Sequence, residues 1–378
     1  MLPWIHLDYK DKGEMRTMAN RIVLSLPHRP GNARNSEGSF AALKDGRIMF
    51  AWTRYRGDSW ADEAYAEIAV RFSSDGGHTW SAQDRIVVAH EGGCNVMSVS
   101  LLRLQDGRLA MFYLHKVVEA LDCRPYVRFS DDEGKTWSAR TLCATFPGYF
   151  CQLNDQAVQL ASGRIVVPVS CHTRIGGNGA PEAAASTIGM FFFDDGGQSW
   201  RASQDWWAPP RANHGAAEPV VVERKNGSLY CLARTTLKRQ WESTSQDGGE
   251  SWAPPRPSRF RSPQAPMTIK RMPSTGRLLA VWNDLTPGWG VPRKPMVDGW
   301  ANDMSWGRTP LVAAISQDEG RSWRHARAIE TDPDRGFCYI AIHFTEDALL
   351  LAYCCGGRKS VVLQDLCIRR VTWDWFNE

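Results

Sequence analysis

The chain of 378 residues carries 45 basic and 41 acidic side chains for a formal net charge of +4, and 43% of it is hydrophobic. That is ordinary globular usage with ample material for a large core, so a soluble folded protein is expected. The charges are mixed without a basic block, and no apolar run is long enough to cross a bilayer, so neither nucleic acid nor membrane is expected as a partner.

The first twenty residues, MLPWIHLDYKDKGEMRTMAN, lack the continuous apolar core of a secretory leader. The ten Cys show no CxxC pair and no metal-type spacing, which suits buried thiols in a reducing compartment. A cytoplasmic location is expected. No metal site and no cofactor are expected, and the oligomeric state is left open.

RIVLSL at 21–26 reads as a strand, and a doubled repeat follows it. Short turns at Asp45-Gly46, Asp106-Gly107, Ser162-Gly163, Asn226-Gly227, Thr275-Gly276 and Asp347-Ala348 each stand between two apolar runs, giving six inner hairpins. Behind the first five comes a second motif: SSDGGHTW at 73–80, SDDEGKTW at 130–137, FDDGGQSW at 193–200, SQDGGESW at 245–252 and SQDEGRSW at 316–323. In this pattern, S-x-D-x-G-x-[ST]-W, the Asp and Ser/Thr bond the backbone of a tight turn, Gly supplies φ > 0 and Trp packs beneath, so its role is structural. The period of about 61 residues suits a four-stranded blade and fits the chain close to six times. The expectation is an all-β fold, a six-bladed β-propeller forming a single domain over 1–378. The last blade takes its third strand from VVLQDLCIRRV and its fourth from 21–26, closing the ring. No helix is expected beyond short turns. Two insertions interrupt the rhythm: a Gly- and Ala-rich one at 174–186, and 284–307 with Trp289, Trp300 and Trp306, expected to overhang the channel mouth.

Aligning the hairpins on their turns places Glu37, Ser98, Asn154, Glu218, Met267 and Tyr339 at one equivalent position, a ring at the mouth of the channel. Two carboxylates, a phenol, an amide and a hydroxyl are unusual where a purely structural repeat needs small or apolar residues. The second strands end in Trp52-Thr53-Arg54, His115, His172 and Arg234, a second polar ring.

These motifs, with EPVVVERKNGSLYCLAR, RTPLVAAISQDEG and CYIAI, resemble the sialidase (neuraminidase) superfamily over nearly the whole chain, the eight-residue motif being its Asp box. The resemblance implies a six-bladed propeller that hydrolyses a terminal sugar, with a Tyr nucleophile activated by Glu, an Asp acid/base, and three Arg holding the substrate carboxylate. It puts the nucleophile on Tyr339, its partner on Glu218 and the acid/base on Asp62, with Asp58 as competitor. Arg234 and Arg308 become the second and third carboxylate-binding Arg, and Arg54 and Asn154 are further candidates for contact with the carbohydrate. The family's first Arg falls on Glu37, with Arg34 three residues earlier; a carboxylate there opposes an anionic sugar by about 1–4 kcal/mol. His115 and His172 are expected to be structural. A uronate-directed polysaccharide lyase and a non-catalytic glycan-binding propeller are the alternatives to the exo-glycosidase.

Overall fold

The computed structural model describes residues 19–173, 185–196 and 199–377. Most of the 174–186 insertion, most of the N-terminal segment considered for a leader, and two residues of the third Asp box fall outside that range.

All six inner hairpins are paired, and four of them turn on the same device. In the first, Leu43 N–H donates to Arg47 O (2.8 Å) and Gly46 N–H to Leu43 O (3.0 Å), with Gly46 at φ 85°. Leu104, Leu160 and Arg224 open identical turns that close on Gly107, Gly163 and Gly227, all at positive φ, where a side chain is strained. The hairpins grow into four four-stranded antiparallel sheets and one nine-stranded sheet. The nine-stranded sheet contains the second and third hairpins, and Tyr149–Cys151 joins them by pairing parallel with Asp122–Ser130 and antiparallel with Ile165–Thr173. In the last sheet Asn20–Leu26 lies antiparallel against Leu366–Thr372, so the start of the described chain completes the sheet made by its end. A five-residue helix, Trp373–Asn377, follows.

Neighbouring sheets pack face to face, which is why their inner strands are apolar on both sides. Met49, Val99 and Met111 fill the layer between the first and second repeats, and Phe112, Phe150 and Phe191 the next. Phe192 and Leu229 lie between the third and fourth, Tyr230 and Leu278 between the fourth and fifth. Leu279 and Leu351 follow, and Phe50 packs on Leu350 to bring the last repeat back against the first. The result is an all-β, propeller-like arrangement.

The Asp boxes form as their residue types require. Ser73 Oγ donates to Asp75 (2.8 Å) and accepts from Gly77 N–H (2.9 Å), while Asp75 accepts from the Thr79 N–H (2.9 Å) and hydroxyl (2.6 Å). The same set recurs at Asp132, Asp247 and Asp318, and Asp195 accepts both bonds from Ser199. Ser73 sits opposite Ile48 and Ser245 opposite Leu229, at the beginning of the second strands. The opposite end of those strands carries Arg54 and Arg234, so the Asp boxes and the polar ring occupy opposite rims.

Candidate active site

At the entry of four inner strands the backbone is forced out of its ladder. Glu37 (φ 57°), Ser98 (φ 56°), Glu218 (φ 49°) and Tyr339 (φ 57°) all adopt left-handed conformations, each within a register shift of its hairpin. A bulge of this kind re-aims a side chain, and for residues other than Gly it costs about 1–3 kcal/mol each. Four repeats therefore carry the same strain to turn the same ring position inward.

Two of these residues meet. Tyr339 Oη donates to Glu218 Oε1 at 2.9 Å, and Arg234 Nη1 pairs with Glu218 Oε2 at 3.0 Å while lying against Tyr339 itself. Tyr339 and Glu218 are 8% and 9% exposed, so the group is closed off from most water. Burial, then the Glu218 carboxylate, pushes the phenol's pKa well above its ordinary value, against the pull of Arg234 and Arg308; the phenol is neutral at rest.

Arg308 is fully buried, with its guanidinium 4.9 Å from the Trp300 ring, 5.0 Å from Trp306 and 5.6 Å from Tyr339. It donates to Gln264 O (3.2 Å) and approaches Cys338 Sγ (3.0 Å), and has no carboxylate ion pair among the described residues. The 284–307 insertion thus reaches the Tyr339 group, and two of its Trp residues clamp Arg308. Trp289 is elsewhere, bonded to Asp284 (3.0 Å) beside a cavity of about 350 Å³ that none of the catalytic candidates line.

Asp62 is brought to the mouth by Arg34, which is 1% exposed and pairs with it at 2.5 Å. Desolvation opposes ionisation of Asp62, but Arg34, then Lys116, outweigh it and hold the pKa at about 2. Lys116, itself buried, donates to Asp62 O at 2.8 Å, fixing the loop. Asp58 instead accepts from Gly31 N–H (3.4 Å). Glu37 is 3% exposed, 3.8 Å from Arg34, and desolvation lifts its pKa to about 7.

One of the expected contacts is corrected. Arg54 does not join the group: it pairs with Asp84 (3.4 Å) and Glu67 (3.8 Å), because Thr53 is the channel-facing residue of that strand, accepting from Ser98 N–H (3.0 Å), and alternation turns Arg54 away. Asn154 is on the ring; its amide N–H groups donate to Gly38 O (2.7 Å) and Tyr339 O (3.2 Å), locking backbone together, while its Oδ1 is buried without a partner among the described residues. Next to it Asp155 (φ 61°) accepts from Ser39 Oγ (2.7 Å), Ile342 N–H (2.8 Å) and Lys270 Nζ (2.6 Å), a buried hub joining four repeats. That hub and Lys116 were missed because each partner comes from a different repeat; a lone Asp and Lys in strand-like sequence carry no signal. His115 and His172 make local bonds, to Gly92 O (3.0 Å) and Ser170 Oγ (3.3 Å).

Comparison with known proteins bears on the fold and its repeat. The BNR repeat-like domain model matches residues 46–351. The architecture and the Asp-box turns therefore define a member of the sialidase and BNR-repeat superfamily. Within it, the chain belongs to the BNR repeat-like domain family. It is 25% identical over 259 residues to an anhydrosialidase of Macrobdella decora, covering 63% of this chain and 30% of that protein. It is 26% identical over 215 residues to a sialidase of Micromonospora viridifaciens, covering 50% and 31%. The chain thus spans about a third of the length of these relatives. Similar folds include a protein of unknown function from Dyadobacter fermentans (TM-score 0.69, 18% identity, covering 93% of this chain and 99% of that one). A sialidase of Streptococcus pneumoniae matches with TM-score 0.69 at 12% identity, covering 94% and 71%.

Proposed function

We propose that the protein is a sialidase-like exo-glycosidase on a six-bladed propeller, the nine-stranded sheet being two blades stitched together, and that it releases a terminal acidic sugar, sialic acid or a relative. The observation that carries this reading is the buried Tyr339–Glu218–Arg234 group. Tyr339 Oη attacks the anomeric carbon as its proton passes to Glu218 Oε1, 2.9 Å away, and the bond to the leaving group breaks. Arg234 on the other carboxylate oxygen orients Glu218. The neutral phenol does not repel an anionic sugar as a carboxylate nucleophile would.

Arg308, buried and without a carboxylate partner among the described residues, supplies the place for the substrate's anion, since a guanidinium so placed gains most from a bidentate acid. Asp62 protonates the leaving group. Arg34 holds it ionised, so the acid role requires substrate to compete for Arg34 or to shield Asp62 from it. The names of the relatives, sialidase and anhydrosialidase, point to the same substrate class.

The test is a panel of aryl glycosides including aryl sialosides and aryl uronides, run with wild type and Tyr339→Phe. Turnover of an acidic glycoside, reduced about a thousandfold or more in the variant with ligand binding within a few-fold of wild type, is expected. Full activity of Tyr339→Phe removes the mechanism. An unsaturated product identifies a lyase, and binding without turnover identifies a carbohydrate-recognition propeller.

A further inference from the structure

A buried carboxyl in a ligand pocket needs partners, and Glu37 has few. Its side chain occupies the same bulged ring position as Glu218 and Tyr339 but is not used by the mechanism above. Among the described residues Oε2 is fully buried without a hydrogen-bond partner. Among the described residues Oε1 has Arg34 Nη2 at 3.8 Å, beyond hydrogen-bond range, while Arg34 spends its short contacts on Asp62 (2.5 Å) and Ser36 Oγ (3.0 Å). An isolated carboxylate in such a position is penalised by its lost hydration, and a carboxylic acid is left with an unused O–H. Either way the pocket holds an unfilled bond until something enters it.

The charged and titratable groups facing Glu37 come from every side. Arg34 and Tyr55 belong to its own hairpin, Asp62 to the following loop, Lys116 to the second repeat, Glu218 to the fourth, and Tyr339 and Cys354 to the sixth. Two of these groups, Arg34 and Lys116, are cations that favour an anion, and Glu37 stands beside them. We propose that Glu37 is a specificity-determining residue: with its proton it hydrogen-bonds the sugar's anionic group, and without it the pocket turns an anionic sugar away. This rests on the reading that an acidic sugar binds beside Tyr339. It adds that acceptance of that sugar is governed by one carboxyl that has no part in the bond-breaking step. The lift of its pKa to about 7 puts the change of state near neutrality.

Binding rather than turnover tests it, using the unsaturated sialic acid analogue DANA as probe and isothermal titration calorimetry at pH 5.5 and pH 8.5, with the fold checked by circular dichroism. Wild type is expected to lose about tenfold or more in affinity between the two pH values. Glu37→Gln keeps size and hydrogen bonding without charge, and should bind within about threefold at both and about tenfold tighter than wild type at pH 8.5. Glu37→Ala should lose the pH dependence as well, and Glu37→Arg should bind tightest at the higher pH. Parallel pH profiles in wild type and Glu37→Gln overturn the proposal, as does failure of every variant to bind. Activity surviving in Tyr339→Phe strikes at the catalytic mechanism and leaves these binding outcomes standing, so the two failures are distinguishable.

Discussion

The two rims of the molecule are built by opposite strategies. On one, four of the five Asp boxes are complete within eight consecutive residues: in the first, Asp75, Ser73, Gly77 and Thr79 satisfy one another, and Gly77, at positive φ, lies close against Leu350 of the neighbouring sheet. On the other, nothing is complete locally. Glu218 comes from the fourth repeat, Tyr339 from the sixth, Arg308 from the fifth, and Arg34 with Asp62 from the first. Local bonds make a rim that tolerates damage one turn at a time. Contacts between repeats make a rim where one substitution is felt across the ring.

Four changes sharpen that contrast. The largest effect is expected at the mouth: Glu218→Gln removes the proton acceptor of Tyr339, and turnover should fall about 10²–10⁴-fold with little change in thermal stability. Preserved activity would show that Glu218 only positions the phenol.

Next comes the hub. Asp155→Ala leaves Lys270 without its 2.6 Å partner and breaks bonds to two further repeats, so denaturant unfolding should show a loss of about 3–5 kcal/mol. A loss under 1 kcal/mol would mean that the ring is held by its apolar layers alone.

Glu37 is expected to act in the other direction. Its pKa is raised from 4.5 to about 7 in the folded protein, so the folded state favours the proton. The stability this contributes is present below pH 4.5 and is lost as pH rises through 7. Glu37→Gln should therefore gain up to about 3 kcal/mol over wild type at pH 8 and nothing at pH 4. Equal melting temperatures at both pH values would contradict the burial of an unsatisfied carboxyl.

The smallest effect belongs to the other rim: Asp75→Ala should cost about 1 kcal/mol with activity unchanged, because three further complete boxes and the Asp195–Ser199 pair are unaffected. The lowered pKa of Asp75, about 2, adds that this turn weakens only in strong acid, as pH falls below the ordinary carboxylate range.

The sequence by itself determined the repeat, the hairpins, the Asp boxes and the ring that holds Tyr339 and Glu218, while their partnership was implied by the resemblance to the sialidase superfamily. These depend on local hydrogen bonds, on alternation, or on one ring position read six times over. Only the tertiary structure decided the rest. Arg54 faces Glu67 and Asp84, since a strand's alternation fixes a side chain's face only once the channel-facing residue is known. Asn154 donates its amide N–H groups to backbone carbonyls of the first and sixth repeats, and Trp300 and Trp306 clamp Arg308. Arg34 and Lys116 surround Asp62, and Asp155 ties Ser39, Lys270 and Ile342 together at the axis. Each of these contacts joins residues far apart in the chain, and such partners are chosen by the way the sheets close around a common centre. A short window of sequence carries the cost of a buried charge but not the identity of the group that relieves it.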